Sequence, residues 1–160
     1  LLRLVLGEVP AAVASDQAVL LETHLDDVTG QVVARTLERA LAVGALDAWW
    51  TAINMKKGRP GVQLSVLVRP EEASRFEGLL FEETPTLGIR RSTVRRTTLL
   101  RHAEEVTTRW GPISMKVRRH QGQAQATPEY EDCRRAAELH HISLHEVQEA
   151  AQAAWRATRT

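Results

Sequence analysis

The chain has 160 residues, 43% of them hydrophobic and 26% charged, with a formal net charge of +1 and a single cysteine, Cys133. This length fits one domain with at most an appended subdomain, and the composition is that of a globular protein. One cysteine excludes an internal disulfide and any multi-cysteine zinc or iron–sulfur site. A reducing, cytoplasmic setting is therefore the default, and no apolar run approaches the roughly 18 residues that span a membrane.

The small total charge hides a segregation. Residues 1–54 carry three arginines against seven acids, net −4, whereas residues 55–70 carry four cations and no acid. Residues 85–120 carry nine cations (Arg90, Arg91, Arg95, Arg96, Arg101, Arg109, Lys116, Arg118, Arg119) against Glu104 and Glu105, net +7. Such a field attracts an anionic partner, and the dominance of arginine favours planar, bidentate contact with phosphate or carboxylate.

Taken in order, the chain opens on Leu1-Leu2-Arg3-Leu4-Val5-Leu6 without Met and inside what reads as a strand, as the end of a missing N-terminal region would. Residues 7–16, with Gly7 and Pro10, read as a linker. From Gln17 to Leu25 the alternation predicts a strand, with Val19, Leu21 and Leu25 on one face and Glu22, His24 and Asp26 on the other. Asp27 or Thr29 can cap the helix that follows, whose apolar stripe is Val33, Leu37, Ala40 and Leu41, and Gly44 can end it in a left-handed conformation. Strands are predicted at Leu46–Met55 and Val62–Val68. Pro70 opens a second helix that buries Ala73, Phe76, Leu79 and Leu80, and Pro85 ends it. A strand from Thr86 to about Leu99 completes the order βαββαβ.

This order predicts an α+β fold, with two helices on one face of a four-stranded antiparallel sheet in the ferredoxin-like arrangement over residues 17–100. Residues 101–160 read as an appended subdomain. It holds a hairpin from Glu104 to Arg119 turning at Trp110-Gly111-Pro112, a loop over 121–127, and a helix from Pro128 to His140. A last helix is capped by Ser143, with Glu146 at the capping-box spacing and Leu144, Val147, Ala151 and Trp155 as its buried stripe.

Between the two central strands lies Met55-Lys56-Lys57-Gly58-Arg59-Pro60-Gly61. Hairpin turns use Gly and Pro but have no use for three adjacent cations. The loop suits a polyanion, with ammonium, guanidinium and free amides converging on phosphate oxygens, or else it is a solvated basic turn. It lacks the G-x-x-x-x-G-K-[ST] pattern, so nucleoside-triphosphatase chemistry is not implied.

These motifs, in sequence order, resemble the C-terminal domain of the LarC family. The matching pieces are Leu21-Glu22-Thr23 with Asp26-Asp27, Gly44-Ala45-Leu46-Asp47, the basic loop, and Thr86-Leu87-Gly88-Ile89-Arg90. Further matches are Arg96 and Arg101, the Gly111–Lys116 hairpin, and Pro128-Glu129-Tyr130-Glu131-Asp132-Cys133. The resemblance implies a CTP-dependent nickel insertase of lyase type. It would insert Ni²⁺ into pyridinium-3,5-bisthiocarboxylic acid mononucleotide and complete the nickel-pincer cofactor of lactate racemase-type enzymes. It also implies a divalent cofactor, Mg²⁺ or Mn²⁺, and a partner N-terminal region of the same protein, without which this stretch alone would bind nucleotide but not insert nickel.

On that resemblance, Lys56, Lys57, Gly58 and Arg59 would hold the CTP phosphates, with Arg90 or Lys116 closing the site. Glu22, His24 and Asp26 alternate along one strand face, about 7 Å apart at ~3.3 Å per residue. Glu22, Asp26 and Asp27 suit a hard divalent ion that bridges to phosphate, and the alternative is a solvated sheet face with a helix cap. Glu129, Glu131 and Asp132 stand in a first helical turn, where the dipole favours acids without any catalysis, and Tyr130 either stacks on a base or packs. Cys133 reads as structural rather than as a nickel ligand. Trp49 and Trp50, adjacent on a strand, place an indole on each face and predict a homo-oligomer, a trimer or a multiple of it. The alternative function is a ferredoxin-like RNA-binding or oligomerisation module. RNA-binding sheets of this shape stack bases on aromatic strand positions, and no such motif is present.

Overall fold

The computed structural model describes residues 13–159. The strand read into residues 1–6 and the first part of the linker lie outside them. Contacts divide the chain into one unit at Ser15–Arg96 and a second made of Thr97–Thr160 together with the residues before Ser15.

The first unit follows the order β1 (Val13–Leu25), α1 (Gly30–Ala42), β2 (Asp47–Met55), β3 (Arg59–Val68), α2 (Ala73–Glu83), β4 (Arg90–Leu99). Its sheet runs β2-β3-β1-β4, the ferredoxin-like order, with β3 antiparallel to both β1 and β2. The register Val19↔Val68, Leu21↔Val66, Thr23↔Leu64 puts alternate residues of the two central strands on one face. Against that face pack Val33 and Ala40 of α1 and Phe76, Leu79 and Leu80 of α2, all buried. Truncating a side chain as large as Phe76 in such a core costs about 3–5 kcal/mol, so this layer fixes the positions of the strand ends.

Local chemistry sets the boundaries. Thr29, not Asp27, caps α1: its hydroxyl accepts from the Val32 N–H at 3.4 Å. Gly44 takes φ +103 just past the helix, as a left-handed stop requires. Pro70 opens a single 3-10 turn, Pro70–Glu72, that leads into α2. Two expectations are corrected. Residues 13–16 are strand rather than linker, and Asp16 accepts from Arg96 of β4 through Nε at 3.0 Å and Nη2 at 2.5 Å. A neighbouring strand thus supplies the pairing that the small, polar composition does not announce. At the other end β4 begins at Arg90 rather than Thr86, because side chains have taken the backbone donors before it. Thr86 N–H donates to Thr84 Oγ1 at 3.4 Å and Gly88 N–H to Thr86 Oγ1 at 3.3 Å.

The second unit is an antiparallel meander, β5 (Arg101–Thr108), β6 (Gly111–His120), β7 (Gln123–Pro128), with α3 (Tyr130–His140) and α4 (Leu144–Ala157). Val106, Ile113, Met115 and Val117 bury their side chains against Cys133, Val147, Ala151 and Trp155. The Ser143 hydroxyl accepts from Glu146 N–H at 3.2 Å, capping α4 as its spacing predicts. Strand β7 replaces the predicted loop at 121–127. Its inward residues are Ala124, Ala126 and Pro128, a weak apolar signal, and Gln121 and Gly122 take φ +50 and +78, the paired left-handed angles of a two-residue hairpin turn. Pro128 accordingly ends a strand, and α3 starts two residues later than predicted, after Glu129.

Candidate functional site

Strands β1 and β2 end side by side on either flank of β3, and the chain after α2 returns to the same place. The three segments enclose an open cleft of about 850 Å³, walled by His24–Asp27, by Ile53–Lys56 and by Pro85–Arg90. A close approach sets its floor. A Cβ built on Gly61 would lie 2.7 Å from the Leu25 carbonyl oxygen and 2.7 Å from Met55 Sδ, so only glycine lets the ends of β1 and β2 come this near to β3.

The Pro85–Arg90 wall is anchored from inside the core. Thr23, on the core face of β1 and fully buried, is hydrogen-bonded through its hydroxyl to the Thr86 hydroxyl and donates to the Gly88 carbonyl at 3.0 Å. Thr86 Oγ1 lies 2.9 Å from the same carbonyl. This clasp holds the loop in place while Leu87, at its tip, is fully exposed at 101%.

Of the predicted phosphate ligands, Lys56 and Arg90 line the cleft. Lys57 and Gly58 form the tight turn beside it, Lys57 at φ +64 and Gly58 at φ +68. Arg59 points Nη1 at Asp26 Oδ2 at 3.0 Å, so a predicted phosphate ligand and a predicted metal ligand neutralise one another. Lys116 belongs to the second unit, where its Nζ meets Glu129 at 2.8 Å. Among the predicted metal ligands, Asp26 and Asp27 line the cleft while Glu22 does not. Glu22 accepts from Gln63 Nε2 at 2.5 Å on the face away from the helices, and Gln63 Oε1 lies 3.0 Å from His24 Nε2.

Among the described residues no three His, Cys, Asp or Glu side chains gather into a metal cage. Two neighbouring carboxylates fit a different mode, in which Mg²⁺ or Mn²⁺ takes one or two protein oxygens and completes its shell with phosphate and water.

The Glu129–Asp132 group is engaged within the second unit. Asp132 accepts from Ser114 N–H at 2.9 Å and pairs with Arg135. The bond from Ser114, with the Arg135 charge behind it, holds this carboxyl below the usual carboxylate range. Glu131 pairs with Arg134 at 2.8 Å, and the Tyr130 ring is 54% exposed rather than packed. Cys133 is buried, and burial pushes its thiol up, as suits a structural cysteine. Sequence reasoning passed over Asn54, Thr86 and Leu87 as site residues. Their signal was the Thr, Pro and Gly density of Thr84–Gly88 and the position of Asn54 beside the basic loop.

Comparison with known proteins adds to this geometry. The family model described as "Nickel insertion protein" matches residues 1–148. The chain belongs to the nickel insertion protein family. Curated relatives carrying the name "Putative nickel insertion protein" are 42% identical over 160 residues in Acaryochloris marina and 39% identical over 147 residues in Dictyoglomus thermophilum. The chain spans 39% and 38% of their lengths, and the matches take in 97% and 92% of the chain. A solved structure of LarC2, the C-terminal domain of a cyclometallase involved in the synthesis of the NPN cofactor of lactate racemase, in its apo form, matches at TM-score 0.83 and 35% identity. That match covers 89% of this chain and 99% of LarC2. A Methanopyrus kandleri protein of known structure shares the fold at TM-score 0.62 and 24% identity.

In this nickel insertion protein domain the clasp makes a direct prediction. Thr23→Val keeps the shape but strips a buried hydroxyl from its partners, at a cost of about 1–2 kcal/mol in urea unfolding. It should also speed amide exchange at Gly88, Ile89 and Arg90, whereas Thr23→Ser should restore slow exchange. Unchanged stability and exchange in Thr23→Val would show that the loop is held without it.

Proposed function

We propose that this chain is the nucleotide-binding C-terminal part of a CTP-dependent nickel insertion protein. The whole protein would insert Ni²⁺, its substrate, into pyridinium-3,5-bisthiocarboxylic acid mononucleotide and so complete the nickel-pincer cofactor. The observation that carries this reading is one cleft that combines Lys56 and Arg90 with Asp26 and Asp27, in a domain similar to LarC2. Because the chain spans 39% of its Acaryochloris relative, insertion itself is assigned to the protein with its N-terminal region, and this stretch alone binds nucleotide without inserting nickel.

A nucleoside triphosphate carries several negative charges, and the loop from Lys56 to Arg59 has three cations with Arg90 across the cleft. Binding exchanges one ion pair for two contacts. Arg59, freed from Asp26, would meet a phosphate, and Asp26 with Asp27 would hold a Mg²⁺ or Mn²⁺ that offsets the remaining phosphate charge. Nucleotide and metal therefore bind together, each weakly without the other. Leu87, Ile53 and Met55 provide the apolar surface that a flat base requires.

Charge-assisted contacts of this kind are worth about 1.5–3 kcal/mol, so Lys57→Ala and Arg59→Ala should each weaken CTP–Mn²⁺ binding by roughly tenfold or more in calorimetry. Both positions are exposed, and circular dichroism checks the fold. Parent-like affinity in both variants would leave the loop as a solvated turn.

We also propose assembly with further copies, in a trimer or a multiple of it. Strand β2 is an edge of its sheet, and Trp49 and Trp50 on it are 37% and 53% exposed on opposite faces. Light scattering at micromolar concentration should give an oligomer, and Trp50→Arg should lower its mass. A monomer would remove this part of the reading.

A further inference from the structure

Among the described residues of the second unit, the helices cover one face of its meander and leave the other exposed. Helices α3 and α4 pack on the side that carries Val106, Ile113, Met115 and Val117. By alternation the other side presents Arg101, Ala103 and Glu105 of β5, Ser114, Lys116 and Arg118 of β6, and Gln125 and Thr127 of β7. On that bare side the register sets Arg101 directly opposite Arg118, both exposed.

Directly opposed strand residues have Cβ atoms about 4.5–5.5 Å apart, and like charges there destabilise a sheet. Among the described residues no acid relieves this pair. Arg118 takes only the neutral Gln125, whose Oε1 accepts from Nε at 3.2 Å and Nη2 at 2.9 Å, and Arg101 has no ion pair among the described residues. Glu105 is four residues along the strand, roughly 13 Å at ~3.3 Å per residue. The next acid, Glu129, is taken by Lys116, the cation of the adjoining row.

We propose that Arg101 and Arg118 form an anion site in the second unit for the phosphate group of a small molecule. The Gln125 carbonyl orients the Arg118 fork across the sheet and leaves its remaining N–H bonds unclaimed. An oxyanion placed between the two guanidinium groups converts their repulsion into two charge-assisted contacts. Phosphate suits the pair better than carboxylate, since it brings up to two charges and more acceptor oxygens to face two planar forks. Lys116 stands one row away, able to meet a second phosphate.

Calorimetry on the full 160-residue chain carrying Lys57→Ala and Arg59→Ala, which weakens the loop in the first unit, tests this with inorganic pyrophosphate. Arg101→Gln and Arg118→Gln should each weaken binding about tenfold, and Arg119→Gln, on the opposite face of the same strand, should leave it unchanged. Succinate should not bind. Tighter binding of a nucleoside diphosphate than of pyrophosphate would identify an esterified phosphate as the ligand, and equal binding the free anion. Without ligand, Arg101→Gln should raise the urea midpoint by relieving repulsion, and pyrophosphate should raise it less in Arg101→Gln than in the chain that keeps Arg101. Equal loss in Arg119→Gln, no loss in Arg101→Gln, or binding of RNA alone would overturn the proposal.

Discussion

The hydroxyl of Thr23 is the interaction on which the cleft depends. Four hydroxyl side chains are buried in the first unit, those of Thr23, Thr36, Ser65 and Thr84. Thr36 and Thr84 bond to carbonyls one helical turn back, and Ser65 takes the side chain of Gln63 two residues away. Only Thr23 reaches across the chain, to Thr86 and Gly88. A polar group in an apolar layer is costly unless satisfied, so β1 and the Thr86–Arg90 loop are held together by the penalty of separating them. With Gly61 admitting the ends of β1 and β2 from the other side, two short-range constraints turn a common α+β frame into a cleft with both charge signs on its wall.

That mixture of signs gives the site its character. A wall of cations alone would hold any anion, and a wall of carboxylates alone would hold any hard metal. On the proposed reading the Arg59–Asp26 pair would couple the two, because an anion would have to displace the acid and a metal would have to displace the base. A ligand that brings both charges at once, a metal-bound polyphosphate, meets the lowest cost. The second unit handles its acids differently: Glu129, Glu131 and Asp132 each meet a neighbouring cation within that unit, and the bare face of its sheet is left with arginines.

Much of this was legible in the residues. Val19, Leu21 and Leu25 alternate as strand, Val33, Leu37 and Ala40 repeat as helix, and the βαββαβ order then leaves few ways to stack two helices on four strands. What escaped the pattern was structure supported from elsewhere. Asp16 of the early strand pairs with Arg96, eighty residues on, and β7 turns only two alanines and a proline inward. The basic loop was visible because a turn between strands uses its glycines but has no use for three cations. Its pairing with Asp26, and the separation of Glu22 from the cleft, were not visible, since alternation fixes a face and not a neighbour across the sheet. That Lys116 falls in a second unit depends on where the chain divides, which spacing does not encode.

Amide NMR of the full chain during titration with CTP and Mg²⁺ tests most directly whether this cleft is the nucleotide site. The tightest-saturating shifts should fall on residues 24–27, 54–59 and 86–90, and should require both metal and nucleotide. Saturating CTP and Mg²⁺ that leaves those amides unmoved while others shift would contradict it.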